Sequence, residues 1–189
     1  MTRQLSRATT AESPMKVFSR ASLLAGAFLL AGSVSAFAAG TPTDPQIAHI
    51  AYTAGVLDIK AAEQALAISK DEAVREFATS MATDHKAVND QALALVAKLG
   101  VTPEDNDTSK GLAAQADAKS AELAKLTGAD FDKAYVANEI AYHKAVNGAL
   151  ADLLIPSASN AELKALLETG LKLFQGHQMH AEHVAEGLK

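Results

Sequence analysis

Residues 69–99 read SKDEAVREFATSMATDHKAVNDQALALVAKL, and the spacing within this stretch decides the fold. Val74, Ala78, Met81, His85, Val88, Ala92, Leu95 and Leu99 recur at alternating steps of three and four. That is the 3.5-residue rhythm of helices packed nearly parallel in a bundle. Ser69 with Glu72 three residues on predicts a capping box at the start of this helix, and Gly100 predicts its end after Leu99. Three other segments carry the same kind of seam. Over 44–68 it is Ile47, Ile50, Ala54, Leu57, Ala61, Gln64 and Ile68, opened by Asp44 as N-cap before Pro45. Over 130–154 it is Val136, Glu139, His143, Val146, Leu150 and Leu153, closed by Ile155-Pro156. The last seam is Leu163, Leu167, Gly170, Phe174, His177, Ala181, Val184 and Leu188, with Ser159 and Glu162 as a second capping box.

The fold class expected is therefore all-α, a four-helix bundle. Tight turns make hairpins of the first two and the last two long helices. Between the hairpins lie a polar loop over 101–110 and a shorter helix over 111–126, long enough to carry the chain back along the bundle at 1.5 Å per residue. The result is an up-down-down-up arrangement with an extra short crossover helix, the connectivity of ferritin-like folds. A plain up-and-down array of five helices is the competing topology.

Composition agrees and narrows the function. The 189 residues are 49% hydrophobic and 21% charged, with no Trp and about a fifth alanine, a strong helix former. The complete lack of cysteine excludes disulfides, thiolate metal sites and cysteine nucleophiles. A formal charge of −5 argues against nucleic acid as a partner, which needs clustered Lys and Arg. No G-x-S-x-G, H-E-x-x-H or phosphate-binding glycine loop is present, so no catalytic residue is assigned and a conventional hydrolase or nucleotide enzyme is not expected.

The first residues read as an address. Arg3, Arg7, Lys16 and Arg20 form a basic region ahead of the apolar run ASLLAGAFLLA over 21–31, and Ala36 to Ala38 offers an A-x-A cleavage site. Residues 1–38 are thus expected to be a signal peptide, with Met15 an alternative start and an uncleaved anchor the alternative reading. Residues 39–43 form a linker and 44–189 the bundle. Cleavage after Ala38 removes four basic residues and one acidic one, taking the charge from −5 to −8. The expectation is a periplasmic protein with no membrane span in its mature part. No protein partner can be read from the chain.

Where polar residues interrupt the seams, chemistry is expected. His85, His143 and His177 occupy core slots on three different helices, and Glu139 precedes His143 by one turn. Asp58 flanks the first seam among Ala51, Ala54, Ala61, Ala62 and Ala65, which leave it room. A buried imidazole or carboxylate without partners costs about 1–3 kcal/mol, so these groups must satisfy one another, bind water or hold a metal. Counting 1.5 Å per residue from the turn between the first two helices puts Asp58 at about 18 Å, His85 at about 22 Å and His143 at about 21 Å. His177 comes out at about 12–15 Å, level with Glu139, so the residues form one polar layer or two adjacent ones. Neutral imidazoles with carboxylates suit one transition-metal ion such as zinc, iron or copper. The expected ligands are His85, His143, His177, Asp58 and Glu139, with Asp84 or Tyr135 in support. A single seam histidine is more often a hydrogen-bonded core residue; three on separate helices beside acids balance that reading. His49, off the seam, is expected to be solvated, and Met81 to be packing.

The pieces Phe77-Ala-x-x-Met81-x-x-Asp84-His85 and Phe131-Asp132-x-x-Tyr135, then His143 and a late His177, resemble the domain-of-unknown-function 4142 family. The resemblance spans nearly the whole chain after the signal. It implies a ferritin-like helical bundle, frequent export, and correspondence of His85, His143 and His177 to family histidines and of Asp58 to a family carboxylate. Leu171-Lys172 stands where the family often has Leu-Pro. Ferritin-like di-iron proteins present Glu-x-x-His on two helices, whereas here a single Glu139-x-x-x-His143 occurs, so a mononuclear, histidine-rich site is expected instead. Two functions follow from these residues. One is an exported bundle that binds a transition metal for metal handling or stress protection. The other is a cofactor-free structural or interaction protein of the cell envelope whose core histidines only hydrogen-bond.

Overall fold

A computed structural model describes residues 40–188. The expected signal peptide over 1–38 lies outside those residues. The described chain is all-helical, with no strand: α1 Asp44–Ile68, α2 Glu72–Leu99, α3 Asp107–Leu123, α4 Gly128–Ala149 and α5 Ala161–Gly187. None of these helices is long and apolar enough to cross a membrane. α1 packs along α2 and α4 along α5, while α2 also meets α5 and α3 lies against α1.

The helices stand where the seams put them, but their ends are set by other residues than expected. Asp71, not Ser69, caps α2, its Oδ1 accepting from the Val74 N–H at 3.0 Å. Ser69 Oγ instead accepts the Asp71 N–H, which turns the chain into the helix. α5 is capped by Asn160, whose Oδ1 accepts from Glu162 and Leu163. Asp44 is not the N-cap of α1; Thr43 is. The Asp44 carboxylate accepts the backbone N–H groups of Ser159 and Asn160 at 2.8 and 2.9 Å, fastening the start of α1 to the turn before α5. α3 begins four residues before the expected 111, because Asn106 caps it through the Ser109 N–H. Gly100 ends α2 as expected, with φ of 64° in the left-handed region that glycine adopts without cost.

α4 runs on through a π-helical turn, Leu150–Leu154, and one more turn, Ile155–Ser157. Pro156 explains this. It has no N–H to give and its ring crowds the carbonyl four residues back, and the Ile155 N–H reaches the Leu150 carbonyl, five residues back.

Two apolar clusters fill the interior. One gathers Ala62 and Ala65 of α1, Val74, Phe77 and Met81 of α2, Leu123 of α3, Phe131 and Tyr135 of α4, and Ala181 and Val184 of α5. The other gathers Ile47 and Ile50 of α1, Leu150 and Leu154 of the π-helical turn, and Leu163, Leu167 and Phe174 of α5. The interrupting polar residues fall between the two clusters along each helix.

α1 and α2 approach closely at Gly55. A Cβ there would lie 2.4 Å from Asn89 Oδ1 and 2.9 Å from its Cγ, and Asn89 is itself buried. Alanine gains about 1 kcal/mol over glycine in a helix, but overpacking a filled interior costs about 1–3 kcal/mol. Gly55→Ala is therefore expected to lower the unfolding free energy in a denaturant titration. Asn89→Ala in the same chain is expected to reverse the sign of the Gly55→Ala effect.

Candidate metal centre

Asp58 on α1, His85 on α2, Glu139 and His143 on α4, and His177 on α5 are each at most 5% exposed. The bundle brings all five together. His85 Nε2 lies 3.2 Å and His143 Nε2 3.4 Å from Asp58 Oδ2, and the two ring nitrogens are 3.5 Å apart. The His177 ring centre is 5.3 Å from that of His85 and 5.4 Å from that of His143. The offset of His177 to a lower layer, expected from rise per residue, is therefore absent. Counting from a floor assumed common to all helices carried the error of α4, which extends past residue 154 to Ser157 before the chain turns.

Hydrogen bonds fix which nitrogen is free in His143 and in His177. His143 Nδ1 is 3.0 Å from the Glu139 carbonyl oxygen, which can only accept. Nδ1 therefore carries the proton, and the Nε2 lone pair of the neutral ring faces Asp58 and His85. His177 Nε2 is 3.0 Å from Asp84 Oδ2 and donates to it, which leaves a buried Nδ1 without a hydrogen-bond partner. Asp84 thus supports His177, not its neighbour in sequence. His85 stacks flat on Phe174, with ring centres 4.6 Å apart, and its Nδ1 has no hydrogen-bond partner. Glu139 Oε2 lies 3.7 Å from His143 Nδ1. Tyr142 donates to the Ala54 carbonyl at 2.8 Å, tying α4 to the α1 turn that precedes Asp58.

Burial governs the charges. It pushes the Asp58 carboxyl up to about 7, and Glu139 well above the usual range, with Asp58 adding to that rise. His85 is lowered to about 2 by burial and by His143 and His177 beside it; His143 is lowered to about 4, chiefly by burial. Near neutral pH the three contacts among Asp58, His85 and His143 are therefore not ion pairs. Electron-rich atoms crowd one small volume, and both Asp58 oxygens lack an aligned hydrogen bond.

Two groups among the described residues could hold a metal ion: His85 with His143 and His177, and Asp58 with Glu139 and His143. In each, one ligand atom per residue lies within 4.8 Å of the others. They share His143, so all five expected residues belong to one cluster. Of the supporting residues, Asp84 is engaged and Tyr135 is buried with its hydroxyl unpartnered. Phe174 stands in the last seam; its flat contact with His85 had no signal in the spacing. His49 is half-buried rather than solvated, its Nδ1 4.0 Å from Asp105 Oδ1. Met81 is buried packing.

A family model described as Domain of unknown function (DUF4142) matches residues 30–184. No curated protein and no solved structure matches the chain.

Proposed function

The chain belongs to the DUF4142 family, whose description carries no activity, and we propose that its role is to bind one transition-metal ion in the interior of the bundle. One observation carries this reading. Asp58 Oδ2, His85 Nε2 and His143 Nε2 form a triangle with edges of 3.2, 3.4 and 3.5 Å. Donors bound to one tetrahedral zinc at about 2.0–2.1 Å stand about 3.3–3.4 Å apart. The donor chemistry agrees, with neutral rings, one lone pair oriented by a backbone carbonyl, and a carboxylate whose oxygens have no other aligned partner. His177 and Glu139 stand beside the triangle as the remaining ligand candidates. The Asp84–His177 contact is the carboxylate–histidine pairing that orients metal-bound imidazoles. Nitrogen and oxygen donors without sulfur suit zinc, iron or copper, and the metal would serve handling or stress protection.

Two further points belong to this reading. The connectivity is that of a ferritin-like bundle, with α3 as the crossover between two hairpins. What supports it is that each apolar cluster draws on matching ends of the long helices, the end of α1 with the start of α2 and of α4. The protein is exported and reaches the periplasm, which rests on the basic, apolar and small-residue succession of residues 1–38.

The pH dependence of binding tests the proposal. Asp58 holds its proton up to about 7, whereas His143 and His85 hold none above about 4 and about 2. Zinc must displace the Asp58 proton below pH 7, so affinity is expected to fall about fiftyfold between pH 7 and 5, the slope approaching tenfold per pH unit at the acid end. If Glu139 also binds through its carboxylate, a second proton steepens the slope. Asp58→Asn has no proton to displace there, and its weaker binding should follow a shallower slope. Competition titrations against a chelator of known affinity read both slopes. A wild-type affinity unchanged from pH 7 to 5 would contradict the proposal.

A further inference from the structure

Beside the centre, an apolar cavity of about 60 Å³ runs between α1, α2, α4 and α5, and His85 and His143 form part of its wall. Along α2 the lining reaches from His85 to Val96, roughly 16 Å at the rise of a helix. The remaining wall is almost wholly hydrocarbon. Space exists there because small residues stand where a packed bundle would carry larger ones: Ala51 and Ala54 on α1, Ala92 on α2 and Ala149 on α4. A cavity of this volume exceeds the 10–15 Å³ that one water needs, but a water needs two to four polar partners, which this wall does not offer. The polar side chains of the wall are the two imidazoles, Asn89 and Tyr142, whose hydroxyl is spent on the Ala54 carbonyl, and the Nδ1 of the buried His85 ring is without a partner.

We infer that this cavity is a binding site for a linear, uncharged, apolar molecule of alkyl type, lying along the helices with one end against His85 and His143. Length selects a chain over a compact molecule, and the hydrocarbon wall selects against charge. Binding in the cavity needs only the fold. That the bound molecule meets an ion at its inner end rests on the metal-binding reading above, and would make that molecule the class on which the centre acts or which controls access to it.

The test is an NMR titration of the full, metal-free chain with 1-octanol, with adamantanol as a compact apolar control and glycerol as a polar one. Octanol is expected to bind saturably and to shift the methyl signals of Ala51, Ala92 and Leu163, but not that of Leu93 on the outer face of α2. Adamantanol and glycerol should bind at least tenfold more weakly. Ala92→Leu and Ala149→Leu fill the slot from α2 and α4, and each should weaken octanol by tenfold or more while zinc titrations stay at the wild-type midpoint. Should a filled variant fail to fold, the pattern of methyl shifts in the wild type decides alone. Absence of saturable octanol binding, shifts confined to outer-face methyls, or adamantanol binding as well as octanol overturns the inference. If octanol binds as described and zinc does not, the metal reading fails and the cavity site stands; if zinc binds and octanol does not, the reverse holds.

Discussion

Replacing His143 by alanine is expected to lower zinc affinity by about a thousandfold or more, the largest effect of any single substitution at the centre. The Nε2 of His143 is one corner of the donor triangle, and this residue alone belongs to both candidate ligand groups. Its removal leaves Asp58 and His85 with one edge between them. The wild type, at a hundredfold excess of zinc over its dissociation constant, should gain about 2.7 kcal/mol. For a domain of this size that is a rise of about 5–10 °C in melting temperature, and His143→Ala should show none at the same zinc concentration. Asp84→Asn provides the graded comparison. It weakens the orientation of His177 without removing a donor, so a loss of about 10–100-fold is expected. Circular dichroism of each metal-free variant separates loss of binding from loss of fold.

Phe77→Ala is expected to cost about 3–5 kcal/mol of stability, the range for truncating a buried aromatic, with a fall of roughly 6–20 °C in melting temperature. Phe77 is fully buried at the middle of the first apolar cluster, edge-on to Tyr135 at 6.2 Å and to His180 at 5.1 Å between ring centres. Such a loss is a large part of the 5–15 kcal/mol margin of an ordinary domain. Because Phe77 lies apart from the donor triangle, the variant that remains folded should bind zinc with nearly wild-type affinity. Excess zinc should then restore part of the lost melting temperature. Denaturant titrations with and without zinc measure both, and Leu93→Ala on the exposed face should move neither by more than about 0.5 kcal/mol.

The fold was legible because burial in a bundle writes a period into the chain. Val74, Ala78, Met81 and His85 sit at seam positions and are all buried, and the same period made His85, His143 and His177 stand out as histidines in slots meant for leucine. Asp58 was legible from the alanines around it. Helix starts were less so, since Ser69, Asp71, Ser159 and Asn160 all have side chains able to cap; which one does depends on where the backbone turns. Asp44 shows the same limit, spending its carboxylate on backbone groups 115 and 116 positions away, a long-range pairing that no local pattern encodes. The level of His177 depended on how far α4 extends, which Pro156 sets through a π-helical turn and not through an abrupt stop. Phe174 under His85, Asp84 with His177 and the cavity all arise from contacts between helices, and sequence spacing fixes a residue's face without fixing what lies across from it.

The most direct test is elemental analysis of the untagged protein, produced with its own N-terminal segment, followed by X-ray absorption at the edge of the metal found. One ion per chain is the predicted stoichiometry, with nitrogen and oxygen neighbours at about 2.0–2.1 Å, an imidazole scattering pattern and no sulfur. Protein that carries no metal, and whose melting temperature zinc, copper and iron at micromolar concentration all leave unchanged, would contradict it.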